Sequence, residues 1–237
     1  SNDSLLRHFK DTSTLYLEIV DYPGEWLLDL PMLAQDYLSW SRQMTGLLQG
    51  QRAEWSARWR QLCAGLDPLA PADAARLADI AAAWTDYLHA CKREGLHFIQ
   101  PGRFVLPGEM AGAPALQFFP WPDVDAVGEA KLAQADKHSN AGMLRERYKY
   151  YCERVVKGFY KEHFLRFDRQ IVLVDCLQPL NSGPQAFNDM RLALTQLMQS
   201  FHYGQRTLFR RLFSPVIDKL LFAATKADHV TIDQHSN

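Results

Sequence analysis

The sequence predicts an α/β protein in which a partial parallel sheet carries a large, mostly α-helical insertion. Three short runs, residues 14–20, 171–174 and 220–224, are rich in β-branched and aliphatic residues, and polar residues follow each run. Such runs are typical of parallel strands that are covered on both faces. The stretch between the first two runs is far longer than a strand connection requires and shows mostly helical periodicity, which indicates an inserted subdomain.

The composition is that of a soluble globular chain. Its 237 residues include 26 Lys+Arg and 27 Asp+Glu, and 47% are hydrophobic, so one large domain or two small ones are expected. The near-neutral charge excludes a protein defined by non-specific nucleic-acid binding, and we expect no specific nucleic-acid partner. No apolar run approaches the roughly 18 residues of a membrane span. The four scattered cysteines indicate the reduced thiols of a cytoplasmic protein.

The first predicted strand is followed at once by Asp21, Tyr22, Pro23 and Gly24. In P-loop nucleotide hydrolases a carboxylate at such a strand end serves Mg²⁺, usually through water, and the glycine N–H reaches the γ-phosphate. Asp21 is therefore a candidate metal ligand and Gly24 a candidate phosphate contact. An Asp-Gly turn also closes many strands that bind nothing, so the motif is weak when taken alone.

The long insertion is predicted to be helical at residues 28–48, 52–65, 72–94 and 140–164. These segments have apolar residues at helical spacing or a high alanine content. Residues 95–125 differ, because they combine many prolines and glycines with several aromatic residues. The breakers exclude a long helix and the aromatics argue against disorder, so we expect an ordered, irregular loop.

The second and third predicted strands enclose a helix at residues 185–202, which makes a parallel strand–helix–strand unit. The second strand ends in Asp175, and the third ends in Thr225-Lys226-Ala227-Asp228. This last sequence matches the guanine-specificity signature of GTPases, [Asn/Thr]-Lys-x-Asp. Its aspartate accepts hydrogen bonds from the N1–H and the 2-amino group of guanine, and adenine offers neither donor. The lysine stem lies against the base. A plain turn after a strand is the alternative for any single Lys-x-Asp.

Taken together and in this order, the two motifs make the chain similar to a Ras-like P-loop GTPase fold. More narrowly, the chain resembles the YcjX-like family of P-loop stress-associated proteins. The segments that carry the resemblance are EIVDYPGEW (18–26), VDCLQPL (174–180), AATKADH (223–229) and FFPWP (118–122).

The resemblance implies a cytoplasmic protein that binds and hydrolyses GTP, with GTP or GDP and Mg²⁺ as ligands, and that is linked to bacterial stress responses. It implies a nucleotide-binding, Ras-like domain at residues 1–26 and 168–237 and a helical insertion at 27–167. Lys226 and Asp228 would select guanine, and His229 would lie near the nucleotide. A histidine at this position is otherwise an ordinary turn residue.

One element of the family pattern is missing from this sequence, because it contains no G-x-x-x-x-G-K-[S/T]. The family places this phosphate loop upstream of the strand that ends in Asp21. We therefore expect the chain to be an internal segment that, taken alone, neither hydrolyses nor tightly binds nucleotide.

Glu25 follows Gly24, at the position where many GTPases place the glutamine that orients the attacking water. Its carboxylate either accepts the proton of that water or repels the γ-phosphate until it is rearranged. Glu25 is the candidate catalytic residue. Because the insertion begins directly after Gly24 and Glu25, we expect it to report the nucleotide state.

The alternative function is a non-enzymatic interaction module in which the insertion binds a protein or a membrane surface and the nucleotide motifs are vestigial. Residues 145–169 are basic and aromatic, as in helices that contact anionic membranes. A solvated basic face with a buried aromatic face is the more common arrangement. An ATPase is disfavoured by Asp228. Candidate partners are therefore guanine nucleotide, an unidentified protein and a peripheral membrane contact.

Overall fold

The computed structural model describes residues 14–164, 169–175, 183–201 and 219–225. Its α-helices are α1 Gly24–Leu27, α2 Tyr37–Gly46, α3 Gln51–Trp55, α4 Ala57–Cys63, α5 Ala74–Arg93, α6 Gly102–Val105, α7 Val124–Val127, α8 Glu129–Ala133, α9 Asn140–Tyr150, α10 Lys157–His163 and α11 Pro184–Phe201. Shorter 3₁₀ turns span Leu30–Ala34, Gly108–Met110 and Pro114–Leu116, and a π-helical turn, Tyr151–Val156, joins α9 to α10. The strands are β1 Arg169–Asp175 and β2 Lys219–Thr225.

Side-chain caps explain where several helices begin. Asp36 accepts a hydrogen bond from the Ser39 N–H at 2.7 Å at the start of α2, and Asp73 accepts one from the Arg76 N–H at 3.1 Å at the start of α5. Each cap satisfies a backbone donor that has no partner within its helix. The Asp36 cap also separates α2 from the preceding 3₁₀ turn, so the predicted helix at 28–48 is two elements.

The core of the helical body, α1 to α10, is aromatic. Trp40, Trp84 and Tyr151 are fully buried in it, and Phe118 and Phe119 from the irregular loop join them. Tyr37 fixes this loop, because its hydroxyl donates to the Phe119 carbonyl at 2.8 Å. The prediction of an ordered loop packed on helices is confirmed.

The two strands pair in parallel, from Arg169 opposite Lys219 to Asp175 opposite Thr225. The connecting helix α11 packs on the helical body, with Ala193 and Leu197 in the same core. The predicted strand–helix–strand unit is therefore present, and this pair is the whole of the sheet within the described residues.

The predicted fold class, an α/β protein with a partial Ras-like parallel sheet, is wrong for the described residues. They are mostly helical, and residues 14–20 form no strand. The side chains of Leu15 and Ile19 in this segment are 92% and 88% exposed. The composition of residues 14–20 favours a strand, but β-propensity depends on a neighbouring strand and on burial, and neither described strand pairs with this mostly exposed segment.

Among these residues, no helix combines the length and the apolar character that crossing a bilayer demands. The division into residues 1–26 with 168–237 and an insertion at 27–167 stays a prediction.

Candidate functional site

The segment Asp21–Glu25 lies at the point where the chain enters the helical body. Asp21 and Gly24 are exposed, and a Cβ added to Gly24 would meet nothing within 4 Å. Gly24 begins α1, whose four residues are too few to form a stable helix without tertiary contacts. The carboxylate of Asp21 and the backbone at Gly24 are therefore accessible, whereas the residues that follow are held by the body.

Glu25 contacts the body through both its side chain and its backbone. Its carboxylate lies 3.1 Å from the Lys92 Nζ, in the last turn of α5, and is 23% exposed. Its carbonyl faces α6 so closely that a Cβ at Gly102 would lie 2.2 Å from the Glu25 oxygen. Only glycine fits position 102 while α1 keeps this place.

Trp26 is fixed from two directions. Its Nε1 donates a hydrogen bond to the Leu106 carbonyl at 2.9 Å, and the Arg103 guanidinium lies over its ring, with Cζ 3.3 Å from the centroid. Arg103 in turn pairs with Glu109 at 3.2 Å. A cation placed over an indole face is attracted by the ring quadrupole, which adds to the hydrogen bond.

Asp29 is the buried anchor of the segment. Both of its carboxylate oxygens accept the Gly102 N–H at 2.9 Å, and the Tyr151 hydroxyl donates to Oδ2. Burial raises the pKa of Asp29 to about 7, against the lowering effect of the hydrogen bonds from Tyr151 and Gly102 and of the charge on Arg103. Gln100 adds a further link by donating to the Leu28 carbonyl at 2.8 Å.

Three of the predicted site residues, Asp21, Gly24 and Glu25, lie in the described part of the chain. Lys226, Asp228 and His229 lie outside the described residues. The nearest described position is Thr225, which ends β2 opposite Asp175 of β1.

Asp21 and Gly24 are both accessible to a ligand. Asp21 offers an accessible carboxylate, the donor type that Mg²⁺ prefers, and the space beside Gly24 is open. Within the described ranges no group of three or more His, Cys, Asp or Glu side chains could hold an ion. Asp21 would therefore supply one carboxylate to a bound ion rather than a complete ligand set.

The whole sequence is similar to one known protein family and to named members of it. Residues 1–237 match the YcjX-like family, DUF463, from end to end. The chain belongs to this family. It is 91% identical over 237 residues to the "Ras-like GTPase YcjX" of Escherichia coli K12, which covers 100% of the chain and 51% of that relative. It is 48% identical over 235 residues to the protein of the same name from Shewanella oneidensis, which covers 98% of the chain and 48% of that relative. The chain thus spans about half the length of the curated relatives that it matches.

A second connection within the chain joins α11 to the helical body. Asp189 of α11 pairs with Arg52 of α3, and both side chains are 7% exposed. The other oxygen of Asp189 accepts the backbone N–H groups of His97 and Phe98, the latter at 2.6 Å. Arg52 also donates to the Tyr87 hydroxyl at 2.8 Å. Because its polar atoms are well satisfied, this buried pair can hold α11 in one position.

Four residues that hold this segment, Asp29, Lys92, Gly102 and Arg103, were not predicted from the sequence. Asp29 had a usable signal, because a carboxylate inside the run Leu27-Leu28-Asp29-Leu30 must be buried with partners if the leucines are buried. The other three residues carry no such signal, since they lie far from Glu25 and Trp26 in the sequence and meet them only in the fold.

Proposed function

We propose that the chain is the central segment of a GTP-binding, GTP-hydrolysing P-loop switch protein. The observation that carries this proposal is the 91% identity, over all 237 residues, to a protein named Ras-like GTPase. In the intact protein, Asp21 would serve Mg²⁺ and Gly24 would contact the γ-phosphate. Lys226 and Asp228 would select guanine, with His229 beside the nucleotide.

Two features of the structure support this proposal. The backbone at Gly24 is open on the side that a Cβ would occupy. The parallel register ends both strands at one edge, with Asp175 opposite Thr225, the first residue of the guanine signature. Ligands of parallel strand–helix–strand units bind at the carboxyl ends of the strands.

Glu25 is the proposed catalytic residue, and its contact with Lys92 gives it a second role. The 3.1 Å ion pair holds the carboxylate against α5, so orienting a water beside a γ-phosphate would compete with this contact. In the intact protein Glu25→Gln should bind GTP normally and hydrolyse it at a different rate. Single-turnover measurements test this, and an unchanged rate would remove Glu25 from the mechanism.

We further propose that this chain alone neither turns over nor tightly binds nucleotide, because its sequence contains no phosphate loop. The family relationship also supports a cytoplasmic role for the intact protein in the bacterial stress response. A deletion strain that grows as well as its parent after stress would count against that role.

The deciding experiment is a fluorescence titration with labelled GDP and labelled ADP in the presence of Mg²⁺. It compares this chain with a chain extended to the length of its relatives. We expect guanine-selective binding by the extended chain only, lost in Asp228→Ala and kept in Asp86→Ala, which changes an exposed aspartate of α5. Absence of binding by both chains would overturn the proposal and would leave the helical body, with a protein or membrane partner, as the functional part.

A further inference from the structure

A cavity of about 510 Å³ lies on the helical body beside Trp26. Its walls include the side chains of Trp26, Tyr150 and Phe159. A cavity of this size is within the range that holds small organic ligands, and walls that combine aromatic with charged side chains suit a flat ligand that carries a charge. Neither Asp21 nor Gly24 lines the cavity, which adjoins α1 through Trp26.

The cavity is lined by residues of α10 and of the π-helical turn before it. Gly158 lies inside α10, where glycine disfavours a helix, and a Cβ there would meet nothing within 4 Å. The preceding turn, Tyr151–Val156, is π-helical, and such turns are frequent at functional sites. Gly158 therefore leaves space at the cavity wall that a larger side chain would fill.

The charges around the cavity leave one cation uncompensated. Arg103 is neutralised by Glu109 at 3.2 Å. Glu162 lies at the rim with a side chain that is 72% exposed, 3.9 Å from the Nε2 of His163. Arg154, an exposed residue, lines the cavity and makes no hydrogen bond or ion pair with any described residue. A guanidinium in this position is a donor for a carboxylate or another small anion.

We propose that this cavity binds a small organic anion with a flat, apolar body, which lies against Trp26 and Phe159 and pairs its charge with Arg154. The proposal does not rest on the nucleotide-binding function, because neither its ligand nor its test involves a nucleotide or Mg²⁺.

The test is calorimetric titration of the chain with 1-naphthoate and with its neutral counterpart, 1-naphthamide. Gly158→Leu fills the cavity without meeting any described atom at its Cβ, and it should weaken naphthoate binding by at least about tenfold. Gly46→Leu is the matched control, since a Cβ at this exposed helix position also meets nothing within 4 Å. Equal unfolding temperatures of the two variants would show that both are folded.

Arg154→Gln tests the charge. It should weaken naphthoate binding by roughly fivefold, as expected for an exposed ion pair, and should leave naphthamide binding unchanged. Arg58→Gln, an exposed position of α4, should change neither. Three results would each overturn the proposal: no saturable binding of naphthoate up to about 10 mM, equal binding by the two leucine variants, or equal binding by the two glutamine variants.

Discussion

Arg52 and Asp189 form the buried ion pair that joins α11 to the helical body, and it makes a sharp prediction about stability. Asp189→Asn leaves the guanidinium buried without a counter-charge, so we expect the free energy of unfolding to fall by about 3–5 kcal/mol. Urea denaturation of the wild type and of the variant measures this difference in the free energy of unfolding. The double variant Arg52→Met, Asp189→Leu should lose less, because it buries no unpaired charge.

The matched control for this prediction is the ion pair of Arg42 with Asp125. Its nitrogen and oxygen lie 2.9 Å apart, and both side chains are exposed to solvent. Asp125→Asn should leave the urea midpoint unchanged, since exposed pairs contribute little. Equal losses in Asp125→Asn and Asp189→Asn would contradict the importance assigned to burial.

Asp29 predicts a pH dependence of stability. Its pKa is raised by burial to about 7 in the folded chain, above the usual value of about 3.9 in the unfolded chain. Between these two pH values the folded state binds a proton on Asp29 that the unfolded state has released. The stabilisation by protonated Asp29 is therefore complete below about pH 4 and is lost as the pH rises through 7. The free energy of unfolding of Asp29→Asn should therefore rise relative to that of the wild type as the pH increases from about 4 to about 7. The rise is up to about 1.4 kcal/mol for each pH unit. If the difference in urea midpoint between the wild type and Asp29→Asn were the same at all pH values, the shifted pKa would be contradicted.

At the scale of elements, α1 depends on α6 for its position. Gly102→Ala places a Cβ 2.2 Å from the Glu25 carbonyl, and that contact forces α1 away from its place. We expect faster hydrogen exchange at Gly24–Leu27 and a loss of roughly 1–3 kcal/mol in the free energy of unfolding, as for other overpacked sites. Gly46→Ala, which meets nothing within 4 Å, should not have this effect. Equal hydrogen exchange at Gly24–Leu27 in the two variants would show that the close contact with α6 does not fix the position of α1.

The helices that could be predicted from the sequence are those whose apolar spacing and end residues lie within one continuous segment. The predicted helix at 72–94 is α5, Ala74–Arg93, and the one at 185–202 is α11, Pro184–Phe201. Their apolar spacing and their ends lie within the segment itself. The predicted helix at 140–164 is interrupted by the π-helical turn Tyr151–Val156, which no local pattern indicates.

Residues 14–20 show where local signals fail. Their composition favours a strand, yet strand formation depends on a second segment that supplies hydrogen bonds and burial. The same reason limits prediction of the site. Asp21, Gly24 and Glu25 were predicted as site residues from a contiguous motif and stay a prediction, whereas Lys92 and Gly102 meet Glu25 only after the chain has folded.

At the scale of the whole molecule, two separate connections converge on the end of α5. Glu25 pairs with Lys92, and the Arg52–Asp189 pair reaches Tyr87, with Arg52 3.6 Å from the Cys91 sulfur. The segment after Gly24 and the helix between the two strands are therefore anchored on the same helix turns. Both anchors therefore contact the same packed, hydrogen-bonded turns, which is a structural condition for coupling between them.

This convergence predicts how the intact protein would respond to nucleotide if it is the proposed switch. A γ-phosphate contact at Gly24 would displace α1, and the contacts of Glu25 and Trp26 with Lys92, Gly102 and Leu106 would carry the change into the helical body. Limited proteolysis of the helical body should thus differ between GDP and a non-hydrolysable GTP analogue. Gly102→Ala should reduce this difference without abolishing guanine binding, and Gly46→Ala should keep it. Identical cleavage patterns with the two nucleotides, in a protein that binds both, would show that the helical body does not sense the γ-phosphate.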